Sequence, residues 1–343
     1  MFDDLLERAR GDIAAVRSVL RTNEVLRQLL FTEGDPRSAQ HQEFLKGKLG
    51  AGAPDPTSWR VYDHSSGVTG LYAIYERCVN GVVKAWLTAL PTLVPKYSEL
   101  SENVRSAHRR GIARIIQNID RPRFKHLTEL GFVKAFHDAV SGASPYELLP
   151  EAFLFTEANF RKDTLESVLV SVAIGQSWKW ITESRFISNF VASAGRGSTT
   201  PEAELRSFIA YRNDSAHGAV NDVLGLSAML ELADFVEALC SALCELAMWN
   251  VLLRRVELGL ARILGETTER YEQPDAVIAV MKATDLTVGD KCVVGGESGC
   301  FPAAITSIQL NGHDRQTIIV DDGTELGLKF DVRVPKNRTL YKW

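Results

Sequence analysis

Cysteine is scarce in this sequence: five in 343 residues, an odd number and widely spread. That leaves no basis for a disulfide framework. Cys240 and Cys244 stand i, i+4 in an apolar helical stretch with no histidine beside them, so they read as buried thiols. Metal-type clusters are missing too. His41, His64, His108, His126, His137 and His313 are isolated, and none belongs to an H-E-x-x-H or Cys/His pattern. No metal and no cofactor is expected. There is no G-x-S-x-G and no G-x-G-x-x-G after a strand, and AGRGSTT (194–200) lacks the Gly-Lys-[Ser/Thr] of a phosphate loop. Positive charge is not in excess, with 39 Lys+Arg against 43 Asp+Glu and a net charge of −4. Such a chain does not coat nucleic acid by bulk charge and would need a local patch. Apolar runs read as broken by charge short of the roughly 18 residues of a membrane span. The opening MFDDLLERARGD is acidic rather than a basic leader. No membrane contact and no export signal are expected, and the default compartment is the cytoplasm.

What is present is the composition of a soluble globular protein, 45% apolar and 24% charged. Up to about residue 265 the apolar spacing is helical. It predicts helices over 2–30, 68–90 (closed by Pro91 and Pro95), 101–116, 127–140 and 159–172, and a long apolar one over 226–264. KGKLGAGAPDPTS (46–58) reads as a loop. Thr200 is a helix N-cap, with Pro201 at the first helical position and Glu202 and Glu204 in the first turn, and that helix is expected to run to about Tyr211. Glu266–Pro274 reads as a polar linker. Beyond it, short β-branched runs at 291–294, 303–310, 316–320 and 326–334 read as strands, with hairpin signals at Asn311-Gly312 and Asp322-Gly323. The expected fold is therefore mainly α: a helical domain (1–265) with a small C-terminal β-barrel of SH3-like or OB-like type (275–343).

One segment concentrates chemistry. Tyr211-Arg212-Asn213-Asp214-Ser215-Ala216-His217-Gly218 lies between two helices and carries a guanidinium, an amide, a carboxylate, a hydroxyl and an imidazole. Arginine suits bidentate phosphate recognition, and histidine exchanges a proton near neutrality. Together they can cleave RNA without metal: the imidazole handles the 2′-hydroxyl or leaving-group proton, while the guanidinium neutralises charge on the transition state. Five helical residues put Arg212 and His217 about 140° apart. They share a site only if the helix breaks between them or two copies meet. Asn213 and His217, at i, i+4, can face one another.

Arg-Asn-x-x-x-His is similar to the R-x4–6-H signature of HEPN domains, all-helical nucleotide-binding and ribonuclease modules. The layout resembles the MAE_28990/MAE_18760-type HEPN proteins: a helical lead-in, then ANFRKDTLESVL (158–169), then FIAYRNDSAHG (208–218) before a long last helix. The resemblance implies a homodimer with one composite ribonuclease site, of the toxin or antiviral abortive-infection kind. It implies metal-independent cleavage to 2′,3′-cyclic phosphate and 5′-hydroxyl ends, under an antitoxin or a trigger protein. Arg212 and His217 would be the catalytic pair and Asn213 the polar residue after the arginine. The alternative is a non-catalytic HEPN module that binds RNA, a nucleotide or a protein. A further one is a helical scaffold in which Arg212 and His217 merely cap a helix end.

Arg161 could contribute a second phosphate contact or sit on a solvated face. Residues 105–134 hold eight Lys/Arg against Asp120 and Glu129, a local patch for an RNA substrate. There Arg110 and Arg114 are i, i+4, as are Arg105 and Arg109, so both pairs can form one stripe. The barrel region has eight Lys/Arg and nine Asp/Glu, so it carries no nucleic-acid footprint and reads as a partner-binding or regulatory module.

Overall fold

Among the residues described by the computed structural model (2–31, 54–155, 158–193, 199–218, 222–273, 275–296, 298–343 and a few isolated positions), ten α-helices precede nine strands. The helices are α1 (Phe2–Phe31), α2 (Pro56–Leu93), α3 (Glu102–Gln117), α4 (Glu129–Ser141), α5 (Pro150–Phe153), α6 (Lys162–Ser171), α7 (Ser177–Glu183), α8 (Arg185–Ser193), α9 (Pro201–His217) and α10 (Leu226–Glu257). Residues 194–198 of one expected loop, five of the thirteen residues of the other (46–58), and His41 lie outside the described residues; Pro56–Ser58, expected in that loop, are instead the start of α2.

Helices α1, α2 and α10 pack on one another, and α9 lies on α2. Helix α2 begins twelve residues before the sequence expectation. The Asp55 side chain accepts the N–H groups of Thr57 and Ser58, each at 3.0 Å, and Pro56 occupies the first helical position. Its polar opening turns are helical because they bury specific partners. Asp63 accepts from Asn23 Nδ2 at 2.7 Å and from Arg27 Nη1 at 3.1 Å. Pro91 lies inside the helix, within its last turn, and so removes one i→i−4 donor, that to the Leu87 carbonyl, two residues before the helix ends at Leu93.

Helix α10 ends at Glu257 rather than near Leu264. By length and composition it is apolar enough to cross a membrane, although Glu237 and Glu245 interrupt its uncharged runs as expected. Yet 72% of its most apolar window is buried inside the protein, as befits a core helix. All five cysteines are free and buried.

The expected linker is a strand as far as Tyr271. The strands are β1 (Arg262–Tyr271), β2 (Ala276–Met281), β3 (Thr284–Thr287), β4 (Lys291–Gly296), β5 (Gly299–Leu310), β6 (His313–Arg315), β7 (Thr317–Val320), β8 (Glu325–Phe330) and β9 (Arg338–Lys342). Six of them close an antiparallel barrel in the order β4-β9-β1-β2-β8-β5, with β5 returning to β4. Polar β1 is stable there because β2 and β9 satisfy its backbone on both sides, while Leu264 reaches the apolar interior. Asn311 and Gly312, at φ 52° and 78°, turn β5 into β6 as a tight hairpin. Asp322-Gly323 instead joins β7, which pairs with β3, to β8, which pairs with β2 and β5, so it is no hairpin.

The barrel sits on α10 through β5. Glu245, buried mid-helix, accepts from Arg185 Nε at 3.2 Å and from the Cys300 backbone N–H at 3.4 Å. Burial pushes its carboxyl above the usual range, and Arg185 opposes that. The Arg185 guanidinium stacks over Phe301 at 4.2 Å. Replacing Glu245 by alanine strands the buried Cys300 N–H, and urea denaturation should register a loss of about 2 kcal/mol.

His108, expected within a basic patch, is a core residue stacked on Phe153. Its Nε2 accepts the Leu149 N–H at 3.3 Å, leaving Nδ1 to donate to Tyr97 Oη at 3.3 Å. Burial lowers its pKa from 6.5 to about 4. The unfolded chain therefore takes up the proton first, so stability is full above pH 6.5 and falls as the pH drops toward 4. Between pH 7 and pH 5 denaturation midpoints should report a loss of about 2 kcal/mol from this group, and His108→Gln should shrink that difference.

Candidate functional site

Thr200 Oγ1 accepts the Ala203 N–H at 3.2 Å and starts α9 as its sequence predicts. The helix does not stop near Tyr211. It continues through His217 and ends at Gly218, whose φ of 69° is left-handed and whose N–H donates to the Asp214 carbonyl. No break separates Arg212 from His217, so within one chain they project from different faces of one helix.

Arg212 is half-buried. Its guanidinium lies 4.7 Å over the Tyr72 ring, a cation–π contact, and its Nη1 donates to Asn213 Oδ1 at 3.2 Å. The same oxygen accepts from Asn159 Nδ2 at 2.8 Å. His217 is exposed on the last turn, and among the described residues no hydrogen bond holds its ring. One turn back, Tyr211 meets buried His64 edge-on at 5.8 Å. His64 Nδ1 accepts the Leu224 N–H at 3.1 Å, tying the chain beyond the motif to α2. Burial lowers the pKa of His64 and keeps it an acceptor, against the pull of Asp222 and Asp214.

A cleft of about 410 Å³ opens between the start of α6 and the flank of α9. Arg161, Lys162, Asp163, Arg206, Asn213 and Asp214 border it. Lys162 is committed to Glu202 at 3.0 Å, whereas Arg161 is exposed. A neighbouring groove of about 500 Å³ runs between Arg110 and Arg114 on α3 and Thr164, Ser167 and Ser171 on α6, and Asp163 borders both spaces. Gly111, which also lines the groove, lets α3 come close to α5: a Cβ there would stand 2.0 Å from the Ala152 carbonyl oxygen.

The structure thus brings Arg161 and Asn213 into one cleft, and Arg110 and Arg114 into the next. It keeps Arg212 on Tyr72 and His217 at the open helix end. The single basic stripe expected on α3 is split. Arg105 and Arg109 turn to Glu102, at 2.9 and 3.1 Å, away from the groove because they lie on another face of the helix. Sequence reasoning missed Tyr72, Asn159 and Arg206. Tyr72 reads as one more core aromatic, Arg206 as a surface charge, and Asn159 is signalled only by standing two residues before Arg161.

An all-helical bundle carrying Arg-Asn-x-x-x-His near the end of the helix that precedes its longest apolar one is of the HEPN class. The chain belongs to the RiboL-PSP-HEPN family, whose model matches residues 39–248, more than half of its length. That name differs from the HEPN type which the layout resembles. HEPN domains are generally ribonuclease or RNA-binding modules. No curated protein and no solved structure matches the chain.

Gly218→Ala tests the helix end that carries His217. A Cβ there meets nothing within 4 Å, so only the left-handed backbone is strained, and chemical denaturation should show a loss of about 1 kcal/mol.

Proposed function

We propose that the protein is a metal-independent endoribonuclease, a HEPN toxin or antiviral abortive-infection effector acting in the cytoplasm as a homodimer. The observation that carries this reading is the Arg-Asn-x-x-x-His string on an unbroken helix beside a cleft bordered by arginines. Since α9 runs through both residues, one chain cannot aim Arg212 and His217 along the same direction, and a site assembled from two copies of the helix end can. In that site a His217 imidazole takes the proton of the ribose 2′-hydroxyl, or gives one to the departing 5′-oxygen. The 2′-oxygen bonds to phosphorus as the 5′-oxygen leaves, so the products are a 2′,3′-cyclic phosphate and a 5′-hydroxyl. Arg212 neutralises the charge that builds on the phosphoryl oxygens. Asn213 contacts the phosphate, while Arg161, Arg110 and Arg114 hold flanking phosphates. An antitoxin or trigger protein would govern the activity.

A non-catalytic RNA-, nucleotide- or protein-binding module is the second reading, favoured by the engagement of Arg212 with Tyr72 and Asn213. Purified protein incubated with RNA in EDTA separates the two. Cleavage should persist, and Arg212→Ala and His217→Ala should each lower it by at least about a hundredfold, with fold and dimer intact. Sequencing should find cyclic phosphate ends. Binding without cleavage, weakened but not abolished by His217→Ala, would instead establish the second reading.

A further inference from the structure

Asn213 has one side-chain oxygen, and two neighbours use it. Arginine carries only donors, so the Asn213 atom 3.2 Å from Arg212 Nη1 must be Oδ1. The Asn159 atom 2.8 Å from that oxygen must in turn be Nδ2. Both amide orientations follow from the chemistry of Arg212, and the Asn213 NH2 group is left over as a donor. Asn213 also borders the cleft with Arg161 and Arg206.

Asn159 is itself held firmly. Its carbonyl accepts the Arg161 N–H at 2.7 Å. The adjoining Phe160 gives its N–H to Tyr72 Oη at 3.1 Å and receives Tyr75 Oη on its carbonyl at 3.0 Å. Both tyrosines belong to the core of α2, and the Tyr72 ring is the one that carries Arg212. One rigid wall therefore fixes the guanidinium and the amide together. The cleft is electrically mixed, since Asp163, Glu202 and Asp214 border it as well. Net charge alone would not place an anion there, whereas a directed neutral donor can.

We infer that Asn159 is a positioning residue for the motif: it holds the Asn213 amide so that the NH2 group faces the cleft and donates to a phosphate oxygen of the RNA backbone. This rests on the ribonuclease reading of the cleft and specifies how the cleft grips its substrate. Asn159→Asp keeps the side-chain shape and replaces the donor by an acceptor. The new carboxylate can accept from Arg212 as well, which releases Asn213 Oδ1 from the guanidinium; the Asn213 amide should then turn its NH2 group to that carboxylate and present its oxygen to the phosphate. Asn159→Ala only removes a restraint. A packing role ranks alanine as the more damaging change, and a positioning role ranks aspartate so.

The test measures Kd for a short oligoribonucleotide in a His217→Ala background, and KM and kcat in the otherwise native chain, with melting curves of each variant. Kd and KM should rise about tenfold for Asn159→Asp and about threefold for Asn159→Ala, in line with losing a hydrogen bond to a charged group. A native chain that cuts RNA, beside variants with unchanged constants or with alanine the weaker binder, overturns this inference and leaves the ribonuclease reading standing. A native chain that neither cuts nor binds the oligoribonucleotide overturns both. Should the aspartate variant fail to fold, the alanine variant decides: a raised Kd with an unchanged melting temperature supports the inference, and an unchanged Kd, or a rise accompanied by lost stability, overturns it.

Discussion

The 32 residues of α10 bear apolar side chains on nearly every face, and hiding them from water is the constraint from which the rest of the architecture follows. No single neighbour can cover such a helix. Helices α1 and α2 take two sides, α7 and α8 take another, and strand β5 closes over what remains. The barrel is therefore part of the covering of the core helix. The one carboxylate in the middle, Glu245, is tolerated because Arg185 and the Cys300 backbone meet it from the two halves of the chain.

The same packing decides the geometry of the motif. Helix α9 lies on α2, and α2 presents three polar anchors toward it: Tyr72 under Arg212, Tyr75 through Phe160, and His64 beside Tyr211 and Leu224. Reactive groups at the surface are thus supported by residues in the core. Arg212 and Asn213 are held on that wall, while His217 extends from the last turn. A motif rigid at one end and open at the other is compatible with the proposed site that a second copy completes. Arginine sets the proton pattern of the whole cluster, because a side chain without acceptors forces every amide it touches into one orientation.

Much of the helical part was legible from apolar spacing, including the Thr200-Pro201 start of α9 and the run from Ser101 to Ile116. The first turns of α2 were not. Their burial falls on Asp63 and His64, polar residues whose partners lie far off in the chain. The split of the basic patch was equally hidden, since Glu102 engages Arg105 and Arg109 while Arg110 and Arg114 stay exposed along the groove facing α6. Strand β1 escaped notice because its stability comes from two neighbouring strands rather than from its own side chains.

By itself the sequence determined the succession of helices and then strands, the free thiols and the Arg-Asn-x-x-x-His string with its HEPN class, because these depend on local spacing and residue chemistry. Tertiary structure alone decided that α9 runs unbroken through His217, that Asn159 and Tyr72 serve the motif, and that Arg110 and Arg114 share a groove apart from Arg161. Each of these depends on which distant segments meet, and no local pattern encodes that. Burial of α10 does.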